Sequence, residues 1–297
     1  MNMTTVVTLP RAFRLNAIDR FTQQVVGQDG KPRDSPFVFD LGSLDFIDGS
    51  GYTVLSNTLG WLRANRCSVI FKNYANLQRE GIRYLDDCGF FRTYLRGCLD
   101  RNSRVRQSTL PCTSVENAKA FSWIENSLSP WMSGALGATY GSLSSVRTCV
   151  KELFNNISDH SAQNTGFVHA QHYPTYRQIK ITVSDFGVGI PATIRRRFGT
   201  MTDCEAIKLA AEEGITSQSR PNNMGAGLNY LIDCITANQG SVLIHSLSGS
   251  LYAKSERGRQ RRVPSSGRAS YPGTIVDITL DTRLFVGDDD DRGDVEW

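Results

Sequence analysis

Three polar side chains of different chemistry recur at a constant spacing in the stretch VKELFNNISDHS, residues 150–161. Glu152, Asn156 and His160 are four residues apart, so on a helix they lie on one face, one turn from each other. A carboxylate, a carboxamide and an imidazole in one row can bind a cation or move a proton. The same spacing also fits the solvated face of an ordinary amphipathic helix, so the row alone leaves both interpretations open.

Two glycine-containing segments follow this row. In VSDFGVGIP a predicted strand runs into Asp185, then Gly187 and Gly189, and a proline opens the next helix. In NMGAGLNYL, Gly225 and Gly227 stand just before a predicted helix, where backbone N–H groups and the helix dipole can receive phosphate oxygens. Each segment alone is also typical of an ordinary strand-to-helix turn or helix start.

The three segments together, in this order, resemble the ATP-binding domain of the GHKL superfamily, which includes DNA gyrase, heat-shock protein 90, histidine kinases and MutL-type repair ATPases. That family has an E-x-x-x-N helix, then D-x-G-x-G, a lid ending in G-x-G-L, and a strand with Gly-Thr, here Gly273 and Thr274. The resemblance covers about residues 130–283. It implies a Bergerat-fold α/β sandwich, in which a mixed sheet is covered by helices.

The resemblance implies a site for ATP and Mg²⁺. Asn156 would hold Mg²⁺, for which a carboxamide oxygen is a suitable hard ligand. Glu152 would act as the catalytic group near the γ-phosphate, where it would orient or deprotonate a water molecule. Asp185 would accept a hydrogen bond from the adenine amino group, and Thr274 would support Asp185 through water.

The remaining positions implied by the resemblance would contact the nucleotide through backbone or apolar atoms. Gly187 and Gly189 would let the backbone approach the nucleotide. Ile190 would line the base pocket, although its apolar side chain equally suits core packing. The lid would cover about residues 214–226 and end in the binding residues Gly225, Gly227 and Leu228.

Two histidine-containing patterns have less specific interpretations. Anti-sigma-factor serine kinases and their relatives carry a His four residues after the Asn of the motif, as His160 does here, but an imidazole interacting with the helix dipole is the alternative. In HAQH, His169 and His172 would point to opposite faces of a strand, which argues against a metal site.

The first third of the chain resembles a STAS domain, as in anti-sigma-factor antagonists. The sequence FDLGSLDFIDGSGYTVLSNTLGWLRANRCSVIFKN carries the resemblance. In that family a partner kinase phosphorylates the first Ser of a D-S-S-G or D-S-T-G loop. Here the loop is Asp48, Gly49, Ser50, Gly51, so glycine occupies the acceptor position. The alternative is another α/β domain whose helix is N-capped at Ser50.

Alternating strand and helix patterns predict an α/β protein of two domains. We expect a STAS-like domain over 1–100, a linker over 101–114, the ATP-binding domain over 115–285 and a disordered acidic tail over 286–297. The motif helix is predicted at about 142–158. Residues 254–268, KSERGRQRRVPSSGR, are predicted to form a long basic loop or hairpin tip.

Composition narrows the cellular context. The formal net charge of +4, from 33 basic and 29 acidic residues, argues against nucleic acid as a partner. Seven cysteines without a C-x-x-C pair argue against a disulfide framework or zinc site. With no signal-peptide core and no membrane-spanning stretch, we expect a cytoplasmic protein. A protein partner of STAS or sigma/anti-sigma type is expected, and a homodimer is left open.

Three functions remain open from sequence. The first is a signalling protein in which ATP closes the lid and slow hydrolysis resets it. The second is a serine/threonine kinase of the anti-sigma type that transfers the γ-phosphate to a STAS protein in trans. The third is a binding module that uses ATP structurally or not at all. A histidine kinase is disfavoured because His160 is the first histidine of the chain.

Overall fold

The computed structural model describes residues 4–160, 165–215 and 227–284, without the side chains of 158–160, 268–269 and 284. Its strands are β1 (Thr5–Thr8), β2 (Ala12–Phe13), β3 (Phe37–Asp40), β4 (Phe46–Ile47), β5 (Val69–Lys72), β6 (Thr109–Glu116), β7 (Thr165–Tyr173), β8 (Gln178–Asp185), β9 (Ser241–Glu256) and β10 (Arg259–Asp281). Its helices are α1 (Ile18–Val25), α2 (Gly49–Ala64), α3 (Glu80–Asp87), α4 (Phe90–Leu95), α5 (Ala120–Trp123), α6 (Ser129–Leu136), α7 (Ser144–His160), α8 (Ile190–Phe198), α9 (Asp203–Ala210) and α10 (Gly227–Ala237).

The first unit is built on a three-stranded parallel sheet in the order β1-β3-β5. β3, the central strand, is an apolar run whose residues Phe37 and Phe39 are fully buried, as expected for a parallel strand covered on both faces. Helices connect the strands, because parallel neighbours need crossover connections. This arrangement confirms the α/β class predicted for the first part of the chain.

The second unit is a five-stranded antiparallel sheet in the order β6-β7-β8-β10-β9. Successive residues of β8 face opposite sides: Ile181 and Val183 belong to a core with α7, α9 and α10, whereas Thr182 and Ser184 face the first unit. The sheet is therefore packed between helices of its own unit and the first unit. This layered arrangement confirms an α/β fold in which helices cover the sheet.

Two boundaries differ from the sequence prediction. β6 begins at Thr109, inside the stretch expected to be a linker, and pairs with β7 at the sheet edge, where a polar composition is tolerated. The basic stretch at 254–268, predicted as a long loop or a hairpin tip, is the end of a hairpin: β9 and β10 continue as paired strands to a turn at Arg257 and Gly258. The polar composition that suggested a loop reflects the exposure of this ribbon, which extends beyond the core.

Helix α2 joins the two units, since nearly all of its residues are buried and it packs on β7 and β8. Small residues make this close packing possible. A β-carbon at Gly49 would lie 2.6 Å from His169 Nδ1, and one at Gly60 would lie 2.8 Å from Phe167 Cζ. Consistent with this contact, the core of the first unit includes Phe186 and Tyr271 from the second.

The helix start also differs from expectation. Asp48, not Ser50, is the N-cap of α2, and its carboxylate accepts the Gly51 N–H at 2.9 Å. In the described ranges, no helix is long and apolar enough to cross a membrane. The predicted acidic tail, 286–297, lies outside the described residues.

Candidate nucleotide-binding site

Asp185 is the last residue of β8 and is only 6% exposed. It alternates with Ser184, so its side chain belongs to the helix-covered face of the sheet. The Gly187 N–H donates to Oδ1 at 2.6 Å, and the Thr274 N–H is a second donor to the carboxyl group. Burial raises the pKa of Asp185 to about 7, although both hydrogen bonds lower it. The site therefore contains a buried acceptor that titrates near neutrality.

The close packing around Asp185 requires glycine at two positions, one on β10 and one in the turn that follows Asp185. Gly273 has φ +96°, and a β-carbon there would lie 2.2 Å from the Asp185 carbonyl oxygen. Gly189 has φ +82° and caps α8, and a β-carbon there would lie 2.8 Å from Ser246 Oγ. Gly189 and Gly273 thus both pack closely against protein atoms, whereas the approach of Gly187 and Gly189 to a nucleotide stays a prediction. Gly187 contributes its amide to Asp185.

Ser246, which the sequence analysis did not select, holds this turn together. Its fully buried hydroxyl donates to the Gly273 carbonyl at 2.6 Å and accepts the Ile190 N–H at 3.0 Å. It also lies 3.1 Å from Thr274 Oγ1. One serine on β9 therefore fixes the start of α8 against β10. No sequence signal marks it, since it is one serine among several polar residues.

Thr274 and Ile190, the other two side chains predicted for this part of the site, lie on β10 and at the start of α8. Thr274 is the register partner of Asp185 in the pairing of β10 with β8. Ile190 is partly buried against the core of the second unit. These residues therefore come from the end of β8, the start of α8 and the segment of β10 that pairs with β8.

The motif helix α7 has the predicted amphipathic character. Leu153, Phe154 and Ile157 are buried, whereas Glu152 and Asn156 are half-buried. Glu152 Oε1 accepts a hydrogen bond from Asn155 Nδ2 at 3.4 Å. The helix therefore buries its apolar side and leaves the two motif side chains accessible.

Asn156 and Gly227 meet across two helices. A β-carbon at Gly227, the first residue of α10, would lie 3.2 Å from Asn156 Oδ1 and 3.6 Å from Nδ2. Leu228, the next residue, is 9% exposed and belongs to the same core as Leu153. The first and third sequence motifs, 71 residues apart from Asn156 to Gly227, are therefore neighbours in the fold.

The basic stretch supplies another contact near the start of α10. Arg262 donates to the Ala211 carbonyl at 2.5 Å and to Asn229 Oδ1 at 2.7 Å. It also forms an ion pair with Asp233 at 3.0 Å. Arg262 thus connects the residue after α9 with the first turns of α10. The sequence pattern, which predicts a long loop or a hairpin tip, gives no sign of this contact.

The predicted site residues form two groups. Asp185, Gly187, Gly189, Ile190 and Thr274 make one, and Glu152, Asn156, Gly227 and Leu228 make the other. Both groups border the core between the sheet and its helices, to which Val183, Leu153 and Leu228 belong. Gly225 and most of the predicted lid, residues 216–226, lie outside the described residues.

The two histidine patterns separate in the structure. His169 is buried against the first unit, where Tyr84 OH lies 3.0 Å from its Nε2, and burial lowers its pKa to about 3. His172 is half-buried. His160 is the last residue of α7, and its side chain is outside the described set.

Gyrase chains are among the solved structures to which this structure is similar. Over 57% of this chain and 41% of the other, the structure is similar to the 43K ATPase domain of Thermus thermophilus gyrase B in complex with an aminocoumarin, at 18% identity and a TM-score of 0.26. Over 37% of this chain and 30% of the other, it is similar to the B-subunit of DNA gyrase from Myxococcus xanthus, at 13% identity and a TM-score of 0.21. The chain thus spans less than half of either gyrase chain. No protein-family model matches the sequence, and no curated protein sequence matches it.

Proposed function

We propose that the second unit binds Mg-ATP and that the protein is a regulatory ATPase which couples binding or slow hydrolysis to a protein interaction. The observation that carries this proposal is the meeting of Asn156 with Gly227 at the start of α10. A carboxamide oxygen suits Mg²⁺, and the first N–H groups of a helix suit phosphate oxygens. Their contact supports a place for a metal-bound polyphosphate.

The surroundings of Asp185 support adenine as the base. A buried carboxyl group that already receives two backbone N–H groups keeps acceptor capacity for a further donor, such as an exocyclic amino group. The glycine-dependent turn at Gly189 and Gly273 brings backbone close beside it. We propose that Asp185 selects a base with an amino group and that Thr274 and Ile190 border the base.

Glu152 is the proposed catalytic residue. It lies one helical turn before Asn156 on α7 and is half-buried, so it is placed to orient water toward a phosphate held at α10. When bound, Mg²⁺ would neutralise phosphate charge during the transfer. The same carboxylate could activate a hydroxyl of a STAS partner, which is the kinase alternative.

The burial of Ser50 favours hydrolysis over transfer to the chain's own first unit. Ser50 is 3% exposed, and its hydroxyl donates to Asp277 Oδ2 at 2.7 Å. A hydroxyl in this position is inaccessible to a γ-phosphate while the two units are packed together. A kinase function would therefore act on a separate protein.

Nucleotide titration with a matched pair of variants tests the proposal. Asn156→Ala should weaken Mg-ATP binding by at least about tenfold, as expected for loss of a metal ligand. Asn155→Ala removes the same side chain one residue earlier on α7 and should change the affinity by less than about twofold. Equal losses in both variants, or no ATP binding by the wild-type chain, would contradict the proposal.

A turnover assay separates the three functions. Glu152→Gln should retain Mg-ATP binding while free phosphate release falls by roughly a hundredfold or more. Wild-type release of phosphate supports the ATPase, and label on an added STAS protein supports the kinase. Binding without turnover of either kind supports the binding module.

A further inference from the structure

The residues on both sides of Asp185 contact the first unit as well as the second. Ser184, which precedes it, accepts a hydrogen bond from Asn57 Nδ2 of α2 at 3.1 Å. Phe186, which follows it, stacks on Trp61 of α2 with ring centroids 4.9 Å apart and an angle of 17° between the planes. The proposed base-recognising carboxyl group therefore lies between two contacts with another unit.

A buried network completes the first of these contacts. Asn57 also donates to Tyr271 OH at 2.8 Å, and Tyr271 OH lies 2.6 Å from Ser184 Oγ. Asn57, Ser184 and Tyr271 are at most 4% exposed. Both amide protons of Asn57 are thus used, and its replacement would leave two buried hydroxyl groups with one partner fewer.

The second contact is also closed to solvent. Trp61 is 7% exposed and Phe186 is 6% exposed. Tyr271 packs against Phe186 with centroids 5.0 Å apart, so both contacts meet at one tyrosine. A rotation of the Asp185 backbone would have to move Ser184 or Phe186 and thereby break one of these contacts.

From this geometry we propose that Asn57 and Trp61 are positioning residues for nucleotide binding, through which packing of the first unit and occupation of the Asp185 site are coupled. The proposal rests on the proposed function of the second unit. It extends it by assigning the first unit a part in nucleotide affinity. Because coupling is reciprocal, bound nucleotide should also stabilise the contact between Trp61 and Phe186.

The affinity test uses substitutions at the interface that differ in their distance from Asp185 along the sheet. Trp61→Ala and Asn57→Ala should each weaken ATP binding roughly three- to tenfold. Tyr84→Phe is the matched control, since it removes buried interface hydrogen bonds to His169 and Gln171 on β7, away from the end of β8. It should leave the affinity within about twofold.

A spectroscopic readout makes the test independent of global stability. Trp61 fluorescence should change on addition of Mg-ATP to the wild-type protein, and the change should disappear in Trp61→Phe, which keeps an aromatic ring and should bind ATP nearly as well. Asp185→Asn should abolish the change while leaving the emission of the free protein unaltered.

The outcomes distinguish this proposal from the one on which it rests. Absence of ATP binding by the wild type overturns both. ATP binding with wild-type affinity in folded Trp61→Ala and Asn57→Ala overturns the coupling alone. A fluorescence change in Trp61→Phe as large as that of the wild type does the same, because Trp61 then does not respond to the nucleotide. Weakened binding in these variants, with the Tyr84→Phe control intact, supports it.

Discussion

The side-chain oxygen of Asn156 lies against the first residue of α10, since a β-carbon at Gly227 would lie 3.2 Å from Asn156 Oδ1. The contact is tighter than an ordinary van der Waals contact, so any side chain at Gly227 must displace the Asn156 amide. The Asn156 side chain cannot both hold a metal ion and move aside for a methyl group at Gly227.

Gly227→Ala should therefore weaken Mg-ATP binding while leaving stability unchanged or slightly higher. Alanine favours a helix over glycine by about 1 kcal/mol, which opposes the cost of displacing one accessible side chain. Affinity measured by titration should fall several-fold, and the midpoint of chemical denaturation should stay the same or rise slightly.

A double-mutant cycle identifies the cause of that loss. In an Asn156→Ala background, Gly227→Ala has no amide to displace and should cause little further loss of affinity. Additive losses in the double variant would show that the methyl group acts on something other than Asn156.

The buried carboxyl group of Asp185 should make nucleotide affinity depend on pH. Its pKa of about 7 in the free protein means that it is mostly protonated at about pH 6, whereas a donor from the base favours the ionised form. Affinity should therefore rise about tenfold between about pH 6 and about pH 8. ADP in excess Mg²⁺ is the ligand of choice, because it limits the contribution of phosphate protonation.

Stability should depend on pH in the opposite direction. The pKa of Asp185 is higher in the folded chain than its usual 3.8, so the folded state binds the proton more tightly. The free energy of unfolding therefore falls as pH rises from about 4 to about 7. Asp277 has a pKa raised to about 6 by burial and adds a decline of the same sign. Asp185→Asn should remove only the first contribution, so its stability relative to wild type should increase across this range.

How far the sequence predicted the site depends on whether a residue acts locally or through the tertiary fold. Asp185 and Asn156 were selected because their motifs, taken together and in order, resemble those of a known ATP-binding family, whereas each motif alone also fits an ordinary helix face or turn. Ser246 was not, because a serine on a strand gives no sign that it will bond to Ile190 and Gly273.

The contact of α2 with the residues beside Asp185 could not be predicted from the local sequence, for the same reason. The sequence of residues 50–65 predicts an amphipathic helix, but nothing in the first unit indicates that Trp61 will stack on Phe186. The basic residues at 254–268 were predicted to form a long loop or a hairpin tip, because charge and turn-forming residues obscure strand alternation. Pairing with β9 supplies the order that the local sequence lacks.

Gly273 and Gly199 have similar φ angles but different surroundings. Substitutions at the two positions therefore separate the stability cost of backbone strain from that of a steric clash. Gly273 has φ +96° and a β-carbon there would lie 2.2 Å from the Asp185 carbonyl oxygen, whereas Gly199 has φ +88° and open space around it. Gly199→Ala should cost about 1–3 kcal/mol of stability from backbone strain alone. Gly273→Ala should cost roughly 1–3 kcal/mol more, because the backbone of β8 must move.

Denaturant titration of both variants checks this difference. Gly273→Ala should also lose ATP binding, since it displaces the backbone that carries Asp185, and Gly199→Ala should retain it. Equal destabilisation of the two variants would mean that β8 and β10 can move apart at Asp185 and Gly273 without a cost in free energy.

The hydroxyl of Ser50 points into the second unit, so a negative charge there should separate the two units. Asp277 accepts the Ser50 hydroxyl at 2.7 Å and lies in a buried setting with Thr182, while Asp48 raises and Lys180 lowers its pKa. Ser50→Ala should cost only about 1 kcal/mol, the usual net value of one hydrogen bond. Ser50→Asp would bury a second carboxylate against Asp277 and should cost several kcal/mol.

Denaturant unfolding measures the stability of both Ser50 variants, with Ser68→Asp on the exposed end of the first unit as the charge control. A Ser50→Asp chain as stable as the wild type would show that α2 is not held against the second sheet in solution.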